Sequence, residues 1–315
     1  MKSHVLNTGG AGYIGSVLTK FLLDKDYSVT VLDNFMYGQS TLLDSCRSDN
    51  FNVVRGDIRN KDTLAKSMSG ADYIIHLAAL VGAPLCDRDT TGAISTNLEG
   101  TKLLLALRGE NQRILFPCTN SGYGIGQKEK FCTEETPMKP ISLYGRTKAE
   151  AEQAILQSGN SISFRLATVF GASPRMRLDL LVNNFVYRAI RDQYIVVFQG
   201  HFKRNYIHIG DVARAFLFGM EKFEGMKNTV YNVGLSDANL SKLELCAEIK
   251  KQMPNLNYVE SPIGEDPDKR DYIVSNAKIE ALGFKPMYSV GFGIKELMKA
   301  YTIVGNAMSG TFSNV

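Results

Sequence analysis

Residues 8–16 read Thr-Gly-Gly-Ala-Gly-Tyr-Ile-Gly-Ser, between an apolar run at 3–8 and a helical pattern over Tyr13–Asp24. Few features constrain a fold more. Glycine tolerates tight turns and close backbone approach. A helix that opens directly after such a turn offers free N–H groups and the positive end of its dipole to an anion. Gly9, Gly12 and Gly15 therefore read as a cradle for a diphosphate. A glycine trio alone is a weak signal, since a glycine-rich turn occurs in other α/β folds. Here the β-branched strand pattern Ser28–Asp33 follows and ends in a carboxylate, 18 residues beyond Gly15. That is close to the spacing of the residue that binds the adenosine ribose in dinucleotide folds. A carboxylate there favours NAD over NADP, because it repels a 2′-phosphate. Tyr13, Ile14 and Asn34 flank these positions and are assigned to the same cofactor site.

The rest of the first half keeps the alternation. Strand patterns at 51–56, 73–78, 113–116 and 161–167 alternate with helical patterns at 62–68, 97–108 and Leu143–Gln157. Strands alternating with helices imply βαβ units and a parallel sheet, and near-continuous apolar strands fit a sheet covered on both faces. The fold class expected is α/β: a Rossmann-type doubly wound parallel sheet with a smaller C-terminal α/β substrate-binding lobe. After Gly171 the rhythm changes to a Pro/Arg loop at 173–177, a helix at 180–190, a strand pair within 195–207 and a helix at 211–220. Residues 1–171 are read as the dinucleotide domain, with a return segment near 206–233. Residues 172–315 are read as mainly the second lobe, with a frayed end at 309–315.

Bulk properties exclude more than they assign. The chain has 315 residues, 44% hydrophobic and 22% charged, with a net charge of +4. So small a charge gives no reason to expect nucleic acid or membrane as partner. The five cysteines (Cys46, Cys86, Cys118, Cys132, Cys246) contain no C-x-x-C pair, so neither a disulfide framework nor a metal site is expected. No signal peptide or membrane-length apolar run is read, and the cytoplasm is the expected location.

A set of ordered elements then carries a resemblance. They are Gly9-x-x-Gly12-x-x-Gly15, Asp33, Gly56-Asp57-Ile58, His76-Leu77-Ala78-Ala79, Asn97, Thr119-Asn120-Ser121-Gly122-Tyr123-Gly124 and Tyr144-x-x-x-Lys148. Arg165, Arg204-Asn205-Tyr206-Ile207-His208 before Asp211-Val212-Ala213, and Arg270-Asp271 complete it. The sequence resembles the extended short-chain dehydrogenase/reductase family, in the branch of nucleotide-sugar epimerases and dehydratases. The resemblance implies that Asp57 and Ile58 meet the adenine. It places Leu77, Ala78, Ala79 and Asn97 along the cofactor, and Thr119, Tyr144 and Lys148 in the catalytic group. Arg204 and Arg270 are to grip the diphosphate of the sugar nucleotide. A homodimer is implied through helices at 97–108 and Leu143–Gln157.

Tyr144 and Lys148 lie four residues apart and so share a helix face. Alone, such a pair is usually a solvated helix face. Free tyrosine ionises near pH 10, and a neighbouring ammonium with the positive nicotinamide is expected to favour the phenolate. Tyr144 then takes the proton of a sugar hydroxyl as hydride leaves, Thr119 holds the same hydroxyl, and Lys148 holds the nicotinamide ribose.

The family's 4,6-dehydratases carry an acidic pair after the threonine and its 3,5-epimerases a cysteine. Asn120 and Ser121 stand there instead and are assigned to substrate contact. The remaining chemistry is hydride transfer at C4 of the sugar, ending in a 4-epimerase that retains NAD or a dehydrogenase that needs an acceptor such as a 2-oxo acid. Segments 77–86, 119–126, 164–183 and 264–272 are similar to enzymes that oxidise C4 of GDP-linked manno-heptose for capsule or surface polysaccharide, which favours a GDP-sugar. Thr168 stands where many relatives have asparagine. Cys86 either lines the sugar pocket, acts in proton transfer or simply packs. Arg175 and Arg177 are further diphosphate candidates with a surface ion pair as the alternative. Asn183 either touches substrate or serves a helix N-terminus, and His208 reads as structural. A non-catalytic NAD-binding regulator is the rival from another class.

Overall fold

The computed structural model describes residues 3–127, 129–264, 270–305 and 314. The expected frayed end at 309–315 lies outside these residues except for Asn314, as do positions 265–269 of the 264–272 segment. Seven strands form one parallel sheet: β1 (His4–Thr8), β2 (Ser28–Asp33), β3 (Phe51–Arg55), β4 (Tyr73–His76), β5 (Arg113–Thr119), β6 (Ser161–Leu166) and β7 (Thr229–Val233). Their spatial order is β7-β6-β5-β4-β1-β2-β3. The expected Rossmann-type sheet is present.

Alternation along the strands sends side chains to two cores. Val5, Tyr73, Ile75 and Leu115 join one apolar cluster, while Leu6, Ile74, Ile114 and Phe116 join the other. Successive residues of a strand face opposite sides, so each face needs its own cover. Helix α1 (Tyr13–Asp24) packs beside the helix Ile209–Glu221, while Gly100–Leu107 packs beside α2 (Leu143–Gln157). The chain leaves β1 toward β2 and β3, then crosses back to β4 on the other side of β1. In such sheets ligands bind outside the carboxyl ends of the strands at that reversal.

Two expectations needed correction. The helix read at 97–108 begins earlier, as Thr90–Ile94, and passes through a wider π-type turn at Ser95–Glu99 before Gly100–Leu107. Strands do occur within 195–207, at Tyr194–Val197 and Lys203–His208, but they do not pair with each other. Tyr194–Val197 pairs with Asn257–Glu260, and Lys203–His208 lies between Thr168–Phe170 and Asn239–Ser241. Both partners are distant in sequence, so local alternation carried no information about them.

Candidate active-site cleft

A cleft of about 1090 Å³ opens at the carboxyl ends of β1 and β4. Gly9, Gly12, Tyr13, Ile14 and Gly15 line it, with Asp33 and Asn34, Asp57 and Ile58, and Leu77, Ala78 and Ala79. Gly9 has φ +71°, and a Cβ there would lie 2.6 Å from the Ala78 backbone nitrogen; one on Gly15 would lie 2.4 Å from the Gly9 carbonyl oxygen. The turn is thus closed against the loop after β4 and admits no side chain at either position. Gly12 caps α1 without any side-chain cap. The first N–H groups of a helix have no intrahelical partner, so this helix end suits a diphosphate. The Asp33 carboxylate accepts the Ala11 and Phe35 amides at 2.9 and 2.7 Å. Burial raises its proton affinity and those two amides lower it. Arg59 pairs with Asp57 at 2.6 Å and holds its carboxyl below the usual range.

Thr119, Tyr144 and Lys148 line the middle of the same cleft. Ser142 caps α2 by accepting the Gly145 amide at 3.1 Å, which fixes the first turn where Tyr144 sits. The Tyr144 ring packs on Leu80, Leu85, Cys86 and Ala93. Lys148, one turn on, is buried, with its ammonium 3.8 Å from the centre of the Phe116 ring. Glu152, a further turn on, grips Arg165 at 2.7 Å and accepts from Ser163 at 2.6 Å. Arg165 is therefore a structural cation beneath the site.

The expected phenolate is not favoured by Lys148 here. Burial raises the Tyr144 phenol above its usual range, and the cations that oppose it are Arg177 and Arg270. Lys148 itself is pulled down to about 8 by burial. His76 is held neutral by burial, with a pKa near 3; its ring bridges Thr8 and Thr101.

Five cations, Arg175, Arg177, Arg204, Lys242 and Arg270, also line the cleft, along with Asp179, Asn184 and Tyr272; Arg175 does so beside Tyr37, on the Asp33 side. Arg270 donates to the Ser121 hydroxyl, which also accepts from Thr119 at 2.9 Å. The Arg204 guanidinium lies over the Tyr272 ring at 5.8 Å. Arg177 is paired with Asp179, and Arg175 lies over the Tyr37 ring at 3.9 Å while donating to Asn314 at 2.8 Å. The sequence reading missed Lys242, Tyr37, Asp179 and Asn184. Only Asp179 left a signal, a carboxylate two residues after an arginine.

Four expected site residues do not line the cleft. Asn97 exchanges two hydrogen bonds with the Leu80 backbone, at 2.8 and 2.9 Å, and so anchors the loop after β4. Cys86 is fully buried, donates to the Leu80 carbonyl at 3.3 Å, and is pushed up to about 11 by burial. It packs behind Tyr144 and is unsuited to proton transfer. Asn183 accepts the Gly171 amide and donates to the Arg177 carbonyl, so its amide holds the loop at 171–177. Asn120 is buried, and its amide makes no hydrogen bond among the described residues. His208 bonds Glu296 at 2.9 Å, and Glu296 holds the Ala172 amide at 2.7 Å, a structural role as read. Thr168 lines the cleft.

Comparison with known proteins supplies the context. The family described as NAD dependent epimerase/dehydratase matches residues 5–234. The low-salt glycan biosynthesis protein Agl12 of Haloferax volcanii is 32% identical, over 94% of this chain and 98% of that protein. UDP-glucuronic acid decarboxylase 2 of Arabidopsis thaliana is 29% identical, over 94% and 68%. The crystal structure of UDP-glucose 4-epimerase from Thermotoga maritima with UDP-glucose superposes with a TM-score of 0.84 at 25% identity, covering 96% of this chain and 100% of that one. With the glycine turn, Asp33 and the Tyr144–Lys148 pair in one cleft, this chain belongs to the NAD-dependent epimerase/dehydratase family and is an NAD-dependent enzyme.

Proposed function

We propose that the enzyme oxidises the C4 hydroxyl of its nucleotide sugar and returns the hydride to the opposite face, as a 4-epimerase that keeps its NAD. One observation carries this reading: Tyr144, Lys148 and Thr119 line the same cleft as the dinucleotide cradle and as Arg204 and Arg270. When bound, oxidised NAD supplies the hydride acceptor and a positive ring. Thr119 and Tyr144 hold the C4 hydroxyl. Burial holds the Tyr144 proton and Arg177 and Arg270 only oppose this, so the phenol must first release that proton to solvent, helped by the positive ring of bound NAD, before it can act as base. Tyr144 then takes the hydroxyl proton. Lys148 positions the ribose and, with its pKa near 8, exchanges protons close to neutral pH. Arg204 and Arg270 hold the diphosphate, which suits bidentate guanidinium bonds. The missing acid at Asn120 and Ser121 argues against water loss from the sugar.

A second reading is a dehydrogenase that releases the 4-keto sugar, with GDP-manno-heptose as substrate and a 2-oxo acid to reoxidise NADH. Its support is that two of the unusual segments, 77–86 and 119–126, supply Leu80, Val81, Gly82, Thr119 and Ser121 to the cleft beside Tyr144. In either case the product serves surface polysaccharide synthesis in the cytoplasm. We also propose the division at residue 171 into cofactor and substrate lobes, with β7 as the return segment. A homodimer through Gly100–Leu107 and α2 completes the reading; these helices pack side by side. Among the described residues no helix is long and apolar enough to cross a membrane.

The test is incubation of the NAD-loaded enzyme with a panel of GDP-, UDP- and dTDP-sugars, with and without 2-oxoglutarate, read by mass spectrometry and NMR. An epimerase gives the C4 isomer without any acceptor. A product two hydrogens lighter that accumulates only with the 2-oxo acid overturns that in favour of the dehydrogenase. No turnover of any sugar revives the non-catalytic regulator.

A further inference from the structure

Lys242 breaks three local rules at once. It opens the helix Lys242–Lys250, and a cation in a first turn opposes the helix dipole. It is only 3% exposed, where lysines are ordinarily at the surface. It also stands at a cleft wall that already carries Arg204 and Arg270. Places where a sequence departs from local preference tend to be functional.

Its position is firmly fixed. The preceding strand Asn239–Ser241 pairs with Lys203–His208, with Leu240 opposite Arg204 and Ser241 opposite Lys203. Ser241 and Glu244 form a reciprocal cap at 3.1 and 2.7 Å, which sets the first turn of the helix. The ammonium donates to the Phe198 carbonyl at 2.7 Å and lies 5.5 Å from the Phe202 ring.

We propose that Lys242 is a substrate-binding residue whose ammonium grips the nucleoside diphosphate of the sugar nucleotide beside Arg204 and Arg270. This rests on the reading of the cleft as a nucleotide-sugar site. The contact is remote from the sugar hydroxyl, so it acts on ground-state binding: its loss raises KM and leaves kcat in place. The contact is also ionic, so it weakens with salt.

The experiment titrates GDP and UDP separately into the NAD-saturated full-length enzyme at low and high salt. Wild type is compared with Lys242→Gln, Lys242→Met and Lys242→Arg, and thermal denaturation reports on folding. Glutamine removes the charge and keeps an N–H donor on a shorter stem. Methionine keeps the stem and removes every donor, so it serves if the glutamine variant does not fold. The expected result is a roughly tenfold weaker nucleoside diphosphate in the neutral variants, a shallower salt dependence, most affinity restored by arginine, and unchanged NAD binding. Unchanged affinity and salt dependence in a folded neutral variant overturns the role of Lys242 and leaves the nucleotide-sugar reading intact. If wild type binds NAD but none of GDP, UDP and, titrated in the same way, dTDP, the nucleotide-sugar reading falls and the proposal falls with it.

Discussion

Gly9 and Arg270 line one cleft and are held there by different means. Gly9 is fixed by the sheet itself: it follows β1, adopts φ +71°, and has no room for a side chain against the Ala78 backbone. Around it the partners are backbone groups, such as the Ala11 and Phe35 amides on Asp33. Arg270 reaches Ser121 across 149 residues of sequence, and Arg204 and Lys242 arrive from two further segments. The cofactor end is therefore a feature of backbone geometry and the substrate end a convergence of long side chains. Backbone geometry tolerates almost no substitution, whereas a cluster of flexible cations loses function gradually and can be retuned to another ligand.

The largest expected effect lies where the two ends meet. Tyr144→Phe removes the proton acceptor while keeping the ring on its apolar bed of Leu80, Leu85 and Ala93. General acid–base groups contribute about 10²–10⁴-fold, so kcat falls by that order. NAD and nucleoside diphosphate affinities, measured by calorimetry, stay near wild type. A mutant that turns over at the wild-type rate would remove the phenol from the chemistry and leave the two ends without a shared purpose.

Gly9→Ala comes next and tests the backbone end. A left-handed alanine costs on the order of 1 kcal/mol and overpacking against backbone about 1–3 more. The variant loses stability or NAD affinity by about 2–4 kcal/mol in total, read by urea denaturation and by NAD titration. In the folded fraction, GDP or UDP binding at the far end is retained. Equal loss at both ends would mean that the ends are mechanically one unit and that the contrast drawn here is false.

The same contrast explains what could be read from the amino acids alone. The glycine turn, Asp33 and the Tyr144–Lys148 spacing were legible because each is a local demand: a φ, a strand end, one helical turn. Helix α1 and helix α2 have the boundaries expected from apolar spacing and caps. The bonds of Asn97 to Leu80 were not legible, because an amide can serve a ligand or a loop and no spacing rule connects the two residues. The start of the helix at Thr90 was missed because Thr-Thr-Gly are weak helix formers and the Asp89 cap decides it. Lys242 and Tyr37 left no trace, since each becomes a cleft residue only after distant segments have packed.

Arg270→Ala is the smallest effect and the sharpest test of the side-chain end. The guanidinium donates to Ser121, whose hydroxyl also accepts from Thr119, so Arg270 is linked through Ser121 to the proposed catalytic threonine as well as lying at the proposed diphosphate site. If the arginine serves mainly as a clamp, its loss removes one charge-assisted contact and raises KM roughly tenfold with kcat nearly unchanged. If it serves mainly to place Thr119 through Ser121, kcat falls and KM holds. Ser121→Ala separates these routes, because it cuts the link to Thr119 and leaves the guanidinium in the cleft. The clamp reading expects Ser121→Ala to retain nucleoside diphosphate affinity while Arg270→Ala loses it, with NAD affinity unmoved in both. A fall in NAD binding in Arg270→Ala would instead tie the cation cluster to the cofactor end and undo the division of labour along the cleft.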